Sequence, residues 1–493
     1  MNLDELLKCI PVVRSEGDLN TEVTDIVTST KLLSKGCCFV CIKGFSVDGH
    51  TFAGEAAKGG ASVIVMDDPG FYDDFLKTNA TDGDLPALIL TTSSRHAVAM
   101  LSDRFFGHPS GRLRLTGVTG TKGKTTTSIM IKKIMDAAGR HTGLVGTMYN
   151  MIGNETIPTD RTTPEANVLQ PLLKRMADEG VTDCVMEVSS QGLKLERVGG
   201  CEYGTCVFTN LSRDHIGTTE HPDMEDYAAS KAKLFSMCEN GLFNADDGYF
   251  GRLSEGASCN IYTYSIDGEN ADFRAENIVF GSDFVEYDLF GLCPRTHMHV
   301  SIPGKFSVYN SMAATAACFL EGISPEIAAE ALRDVLVKGK AEIVPTGRDF
   351  TVMIDYAHNP ISFINIITTA KAFAKRVVFL FGAGGDRNRP RALMGETAAE
   401  YADFTIVTSD NPRTEDPAKI VADIEEGVKK TGKPYVAIVD RKEAIWYAIR
   451  NARSGDVIIL AGKGHETTQI LKDKVIPFDE RVVVKEALLA LDK

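Results

Sequence analysis

Apolar residues along this chain fall into two recurring patterns. Short β-rich runs with little polar interruption include "CCFVCIKG", "ASVIVM", "ALILTT", "DCVMEVSS" and "GTCVFTN". Between them lie stretches with apolar residues at helical spacing, such as "TFAGEAAKGG" and "NSMAATAACFLEG". From Gly339 onward the alternation is regular. Strands "TVMIDYA", "RVVFLFGAGGD", "FTIVTSD", "YVAIVD" and "DVIILAGKG" alternate with helices such as "AKIVADIEEGVKK" and "KEAIWYAIRNA". That rhythm predicts a mostly parallel sheet with helices on both faces. "RFFGHPSGRLR" (104–114) is polar and turn-rich and marks a first boundary. The expected segments are therefore 1–105, 106–338 and 339–493.

One stretch departs from simple alternation. "TGVTGTKGKTTT" (116–127) follows the apolar run "LRLTGV" and precedes a helix in which Met130, Ile131, Ile134, Met135 and Ala138 recur at helical spacing. Gly139 suits its C-terminal cap. Strand, glycine turn and helix together make a nest of backbone N–H groups at a helix N-terminus, which binds anions. Lys124 supplies a charge for phosphates and Thr125 a hydroxyl for Mg2+. The loop differs from G-x-x-x-x-G-K-S/T, because Val118 holds the first glycine's place and Gly117, Gly120 and Gly123 fall at every third position.

Composition narrows the class. The 493 residues suffice for about three domains with their own cores, and the net charge of −14 argues against a nucleic-acid or anionic-membrane partner. No apolar run reaches the roughly 18–20 residues of a membrane span. "MNLDELLKCI" lacks the basic start of a signal peptide, so a cytoplasmic enzyme is expected. Among eleven cysteines, Cys38 and Cys41 form a C-x-x-C without a second such pair, which predicts free buried thiols in a reducing compartment. "HMH" (297–299) reads as one face of a strand, with no metal assigned.

Candidate chemistry gathers at strand ends. "MEVSSQGL" places Glu187, Ser189 and Ser190 after one apolar run, and "FTNLSRDH" places Asn210, Asp214 and His215 after another. A helix then carries Lys231 and Lys233. A carboxylate and an imidazole near a triphosphate loop can hold Mg2+. In the third segment four polar clusters follow strands: Asp355 to Asn359, Gly384 to Arg387, Asp410 to Arg413, and Gly462 to Glu466. Ligands of such sheets sit at the carboxyl ends of the strands, so the clusters point to a single site.

In their order, "GVTGTKGKTTT", "TTPE", "MEVSS", "FTNLSRDH", "YAASKAKLF", "NADD", "DYAHNP", "GGDR", "SDNPR" and "GKGHE" resemble the Mur ligases, the ATP-dependent amide-forming enzymes of peptidoglycan precursor synthesis. The resemblance covers nearly the whole chain and is nearest to the members that add the third peptide residue. It implies an α/β protein of three domains: an N-terminal UDP-binding domain, a central P-loop-type ATPase domain and a C-terminal Rossmann-like domain. It implies ATP and Mg2+ as cofactors, UDP-MurNAc-L-Ala-D-Glu and meso-diaminopimelate as substrates, and a monomer. ATP falls to Gly120, Thr121, Lys122, Gly123, Lys124, Thr125, Thr126, Asn310 and Asp355. Catalysis falls to Lys124, Glu187, His215 and Lys231, with Thr125, Glu187, His215 and Lys231 (as a carbamate) on the metal. Ser29, Thr162, Thr163, Ser189 and Arg197 match residues that hold the UDP-sugar-peptide. Arg387, Asp410, Asn411, Pro412, Arg413, Gly462 and Glu466 fall to the incoming amino acid.

The chain also departs from the family pattern. "TST" (28–30) stands for D-S-R, Lys122 for an asparagine, "GKAE" (339–342) for G-R-M-E, and "DRNRPRALM" is one residue short. A paralogue acting on a related acid, or a ligase using L-lysine, is therefore an alternative. A nicotinamide dehydrogenase could be argued from Gly382 and Gly384 of "FGAGGDR", although Arg387 replaces the third glycine. A non-catalytic nucleotide-binding regulator would leave Glu187, His215 and Lys231 idle.

Overall fold

The computed structural model describes residues 1–79, 85–217, 220–386 and 389–491. Three α/β domains with mainly parallel sheets follow one another along the chain. The first sheet orders its strands Val12–Glu16, Ala87–Thr91, Val63–Met66, Cys38–Val40 and Ile26–Val27, with only the first pair antiparallel. Every residue of Val63–Met66 is buried, because apolar groups pack against both faces. Cys38 joins Val40, Val63 and Val65 on one side, while Cys37, Phe39 and Cys41 join Ile64 and Met66 on the other. The C-x-x-C pair is thus split across the sheet.

The central sheet is a parallel run of Asn260–Ser265, Cys238–Asn244, Tyr203–Phe208, Arg114–Thr119, Asp183–Glu187 and Thr142–Val145. Asn150–Ile152 and Glu155–Ile157 continue it as antiparallel strands. Arg114–Thr119 lies in its middle, so the glycine loop leaves the sheet between two strands that end beside it. The following helix Lys124–Ala137 buries Met130, Ile131, Ile134 and Met135, the predicted stripe, and Gly139 follows it at φ +81°.

The C-terminal sheet runs Glu342–Val344, Thr351–Asp355, Asp456–Ala461, Arg376–Phe381, Phe404–Val407 and Tyr435–Ala437, parallel throughout except for its first pair. The four polar clusters leave the carboxyl ends of four of these strands, as the alternation predicted. Elsewhere, Val285–Gly291 pairs antiparallel with Thr296–Val300. On that strand Met298 is buried while His297 and His299 pair with Asp288 and Glu286 at 3.1 and 2.9 Å.

By compactness the chain divides into two units. One comprises residues 1–274, 291–294 and 312–328, and the other residues 275–290, 295–311 and 329–493. Among the described residues no helix is long and apolar enough to cross a membrane.

Candidate active site at the glycine loop and the strand ends

The loop between strand Arg114–Thr119 and helix Lys124–Ala137 is shaped by two glycines. Gly120 adopts φ +148°, and a Cβ there would stand 1.9 Å from Thr209 Oγ1. Gly123 caps the helix at φ +87°. Both conformations favour glycine. Gly117 has a different task, since a Cβ on it would meet Cys206 Sγ at 2.9 Å within the sheet. Neighbouring strand ends fix the loop from behind. Thr209 Oγ1 donates to Lys122 O at 2.7 Å, and Asn210 accepts from Lys122 N at 3.0 Å and donates to Lys122 O at 2.9 Å.

Two lysines converge on one carbonyl. Lys124 Nζ donates to Gly120 O at 2.8 Å and Lys231 Nζ donates to the same oxygen at 2.9 Å. Lys231 is 1% exposed, in the helix Met224–Ala232, with its Nζ 4.7 Å above the Tyr227 ring. Burial, reinforced by the Lys124 charge, pushes its pKa well below the ordinary lysine range. The neutral amine is the form that adds to CO2.

Glu187 ends strand Asp183–Glu187 and is almost fully buried. Its carboxylate accepts from the Thr125 and Thr147 hydroxyls, each at 2.9 Å, and from Thr147 N at 2.8 Å. Gly146 makes room, because a Cβ there would lie 2.6 Å from Glu187 Oε1. Thr162 joins this group through Thr147 Oγ1 at 3.0 Å. Thr163 Oγ1 lies 3.0 Å from Glu187 O and accepts from Ser189 N at 3.0 Å. Arg197 is buried, with its pKa lowered by that burial, and it donates to Thr163 O at 3.2 Å.

His215 makes its hydrogen bond outside this group, with its ring 6.0 Å from that of Tyr227. It adopts φ +58°, its Nδ1 pairs with Glu220 at 2.7 Å, and its ring is half-exposed. Lys122 Nζ pairs with Asp214 at 3.0 Å. Among the described residues no three His, Cys, Asp or Glu side chains gather into a metal-binding group. The fit of a divalent cation rests instead on hard oxygen donors: the Glu187 carboxylate with the Thr125 hydroxyl against it. Ser29 caps the short helix Thr30–Leu32. Thr121 and Thr126 are buried in the loop and the first helical turn.

In the C-terminal domain the strand-end clusters meet. Lys463 is fully buried, with Nζ 3.1 Å from Asn411 Oδ1, 3.2 Å from Glu466 and 3.7 Å from Asp410. Asn411 Nδ2 also donates to Glu466 at 2.8 Å. A Cβ on Gly462, at φ +111°, would approach Asp410 Oδ2 to 2.7 Å. Pro412 is buried, and a Cβ on Gly385 would lie 1.9 Å from its carbonyl oxygen. Arg413 holds φ +53°, tied by its amide to Ile470 O at 3.1 Å, and its buried Nε has no hydrogen-bond partner among the described residues. The neighbouring Glu415 is committed to Arg391 at 2.8 Å. Asp355 accepts from Ala357 N at 2.7 Å and Ala341 N at 2.8 Å. Asn310 is buried in helix Lys305–Leu320. Arg387 lies outside the described residues.

Comparison with known proteins agrees along the chain. Residues 22–103 match the Mur ligase family catalytic domain, 118–318 the Mur ligase middle domain, and 339–464 the Mur ligase glutamate ligase domain. The UDP-N-acetylmuramoyl-L-alanyl-D-glutamate–2,6-diaminopimelate ligase of Caldanaerobacter subterraneus subsp. tengcongensis is 44% identical over 496 residues, covering 100% of both chains. The chain belongs to the Mur ligase family. The protein of the same name from Bacillus cereus is 42% identical, covering 99% of this chain and 98% of that one. A solved structure of a ligase of that name superposes with a TM-score of 0.72 at 27% identity, covering 100% and 99% of the two chains.

Within this Mur ligase some residues of the site escaped the sequence reading. Thr147 follows the strand Thr142–Val145, so the strand-end logic that found Glu187 extends to it. His221 is buried and bridges Ser190 Oγ at 2.9 Å to Asp226 at 2.5 Å, tying helix Ser190–Lys194 to the helix of Lys231. Lys463 lay inside a quoted motif, yet no spacing rule assigns it three polar partners.

Proposed function

We propose that this chain is the ATP-dependent ligase that joins meso-2,6-diaminopimelate to the D-glutamyl γ-carboxylate of UDP-MurNAc-L-Ala-D-Glu, in cytoplasmic peptidoglycan precursor synthesis. Support for the substrates comes from full-length relatives of that name. The observation that carries the chemistry is the convergence of Lys124 and Lys231 on Gly120 O, beside the Thr125–Glu187 pair.

The γ-carboxylate attacks the γ-phosphorus of ATP, giving an acyl phosphate and ADP. The amine of the amino acid then attacks the acyl carbon, and inorganic phosphate leaves from the tetrahedral intermediate. Positioning and electrostatics dominate such a transfer. Backbone N–H groups from Gly123 to Thr126 cradle the phosphates, those of Thr121 and Lys122 being given to Asn210, and Lys124 balances charge on the transferred group. Glu187, His215, Thr125 and carbamylated Lys231 are the candidate holders of Mg2+, which supplies Lewis-acid charge neutralisation when bound. Carbamylation leaves Lys231 an N–H that can keep its bond to Gly120 O, and it turns a disfavoured cation into an anion beside Lys124. Thr162, Thr163, Ser189, Arg197 and Ser29 hold the UDP-sugar-peptide. Asn310 and Asp355 contact the nucleotide.

The amino acid is read by Asp410, Asn411, Pro412, Arg413, Gly462, Glu466 and Arg387. Meso-diaminopimelate ends in a carboxylate and an ammonium, and a guanidinium fork suits the carboxylate. The Nε of Arg413, without a hydrogen-bond partner among the described residues, supports that assignment. Domain limits of 1–105, 106–338 and 339–493, and a monomeric state, belong to the same reading. The test is ADP release and product mass with UDP-MurNAc-L-Ala-D-Glu across a panel of amino acids. Meso-diaminopimelate should dominate. Comparable kcat/KM for L-lysine would overturn the assignment of the amino acid.

A further inference from the structure

Arg441 sits where local preference argues against it. It is the first residue of helix Arg441–Arg450, where the helix dipole disfavours a cation. Its side chain is also wholly buried, a costly place for a guanidinium. A residue that breaks both rules is kept by what it holds. Its Nε and Nη2 donate to Glu480 Oε1 at 2.9 and 2.7 Å. Glu480 is equally buried and opens helix Glu480–Leu491, where a carboxylate suits the dipole. The rest of the fork goes to the main chain: Nη1 donates to Ser409 O at 3.3 Å and Nη2 to Ala461 O at 2.8 Å.

These two carbonyls stand at the roots of the loops that carry the amino-acid residues. Ser409 precedes Asp410, and Ala461 precedes Gly462. The strands that deliver them, Phe404–Val407 and Asp456–Ala461, are not neighbours, because Arg376–Phe381 runs between them. Among the described residues no ladder therefore joins the two strands directly. Gly382, at the end of the intervening strand, leaves room for the crossing: a Cβ there would lie 2.5 Å from Thr408 O and 2.8 Å from the Ser409 carbonyl carbon. Further out, Lys463 and Asn411 link the loops through side chains, and Gln469 Nε2 donates to Asp410 O at 2.7 Å. Arg441 works beneath them, on the main chain, with one rigid planar group.

We infer that Arg441 is a positioning residue of the amino-acid site: it holds loops 409–413 and 462–466 at the separation that lets Arg413 and Glu466 contact one ligand. The inference rests on the assignment of both loops to the incoming amino acid. A lysine at this position would keep a cation beside Glu480 but could not span both carbonyls. Without the fork the loops shift, and a misplacement of about 1 Å can cost as much as roughly 100-fold. The glycine loop and the UDP-sugar-peptide residues do not depend on this tie.

The test compares the full wild-type chain with Arg441→Lys, with the charge-free double variant Arg441→Met and Glu480→Leu, and with Glu480→Gln, which perturbs the same ion pair but keeps the fork. Each is assayed below its own melting temperature. The two variants without the fork should raise the amino-acid KM about tenfold or more, while KM for ATP and for the UDP-sugar-peptide stays within about twofold. Peptides spanning 409–413 and 462–470 should lose hydrogen-exchange protection in these two variants and keep it in Glu480→Gln. A residue that only stabilises the domain would move all three KM values together, or make Glu480→Gln as defective as Arg441→Lys. Either outcome overturns the proposal, as does an unchanged amino-acid KM in folded Arg441→Lys. Wild-type protein that releases no ADP with any amino acid would instead refute the ligase reading, and hydrogen exchange, read without turnover, would still decide the role of Arg441. Arg441→Lys carries the test if the double variant folds poorly.

Discussion

Two buried lysines of this chain keep opposite company. Among the described residues Lys231 bonds a carbonyl oxygen and lies over an aromatic ring, next to another lysine, with the Asp214 charge offsetting only part of the cost of burial. Lys463 is enclosed by Asp410, Glu466 and the side-chain oxygen of Asn411. Burying an ammonium is costly unless it is paired and hydrogen-bonded. At Lys463 the requirement is met, so the residue is an internal cross-link that holds two strand ends at a fixed separation. At Lys231 it is not met among the described residues. The surroundings there favour a neutral, nucleophilic amine, which is what carbamylation requires. Burial alone does not tell a reactive lysine from a structural one; its partners do.

The sharpest way to break the comparison is at Lys231. Groups that stabilise a transferred phosphoryl are worth about 10³–10⁵-fold in rate. Lys231→Ala should lose activity on that scale and regain part of it with added acetate or formate. Its melting temperature should fall little, because the removed amine was poorly satisfied and Lys124 still bonds Gly120 O. A 13C carbamate signal in wild-type enzyme under labelled CO2, absent from the variant, would sharpen the case. Full activity in Lys231→Ala would end it.

Lys463 should behave in the reverse way. Removing one partner from a buried ion pair costs about 3–5 kcal/mol, since the remaining charges stay uncompensated. Lys463→Met should lower the melting temperature clearly, and adding Glu466→Gln should restore part of the loss. A Lys463→Met protein as stable as wild type would erase the distinction between the two sites.

Arg413 tests the same idea with a guanidinium. Arg441, fully buried, has the Glu480 carboxylate at 2.7 Å, whereas the Nε of Arg413 has no partner among the described residues. If its partner is the distal carboxylate of the amino acid, Arg413→Ala should cost about 2–5 kcal/mol in kcat/KM for meso-diaminopimelate. Use of L-lysine should change less. Steady-state kinetics with both amino acids decides this, and an equal loss for the two would remove Arg413 from the recognition role.

Much of this arrangement was legible beforehand, and the reason is local. Gly120, Gly123, Lys124 and Thr125 could be placed because strand, turn and helix follow one another within a dozen residues. The C-terminal clusters could be placed because a parallel sheet delivers all its strand ends to one edge. Lys231 was not legible from periodicity, since a lysine in "YAASKAKLF" reads as a solvated helix position; family resemblance alone marked it. The Thr125–Glu187 and Ser190–His221 bonds join residues far apart in sequence. Their existence depends on strand order, which no local pattern encodes. The C-x-x-C motif shows the converse. Strand alternation puts Cys38 and Cys41, three residues apart, on opposite faces, so a spacing that suggests a pair gives none.

The smallest expected effect lies in the N-terminal domain, where buried His50 lies between two carboxylates. Its Nδ1 lies 2.6 Å from Asp48 and its Nε2 lies 3.0 Å from Asp67, while the Asp67 amide, at 3.4 Å from Nε2, is the weaker contact. Burial pulls the imidazole pKa down, but hydrogen bonds to Asp67 and Asp48 outweigh it and leave the pKa raised. Both carboxyls are held below their usual range, with burial again opposing and His50 prevailing. The sign follows from linkage. A raised histidine pKa stabilises the fold fully below the ordinary value of about 6.5, and the contribution fades as pH rises through the folded value. Depressed carboxyl pKa values add stability that is lost only in stronger acid. His50→Gln should therefore cost about 1–2 kcal/mol near pH 5.5 and distinctly less near pH 8.5. Thermal unfolding of the two proteins across that range measures the difference. A gap that widens with rising pH would mean that His50 is held neutral, and that its carboxylates do not serve it as Asp410 and Glu466 serve Lys463.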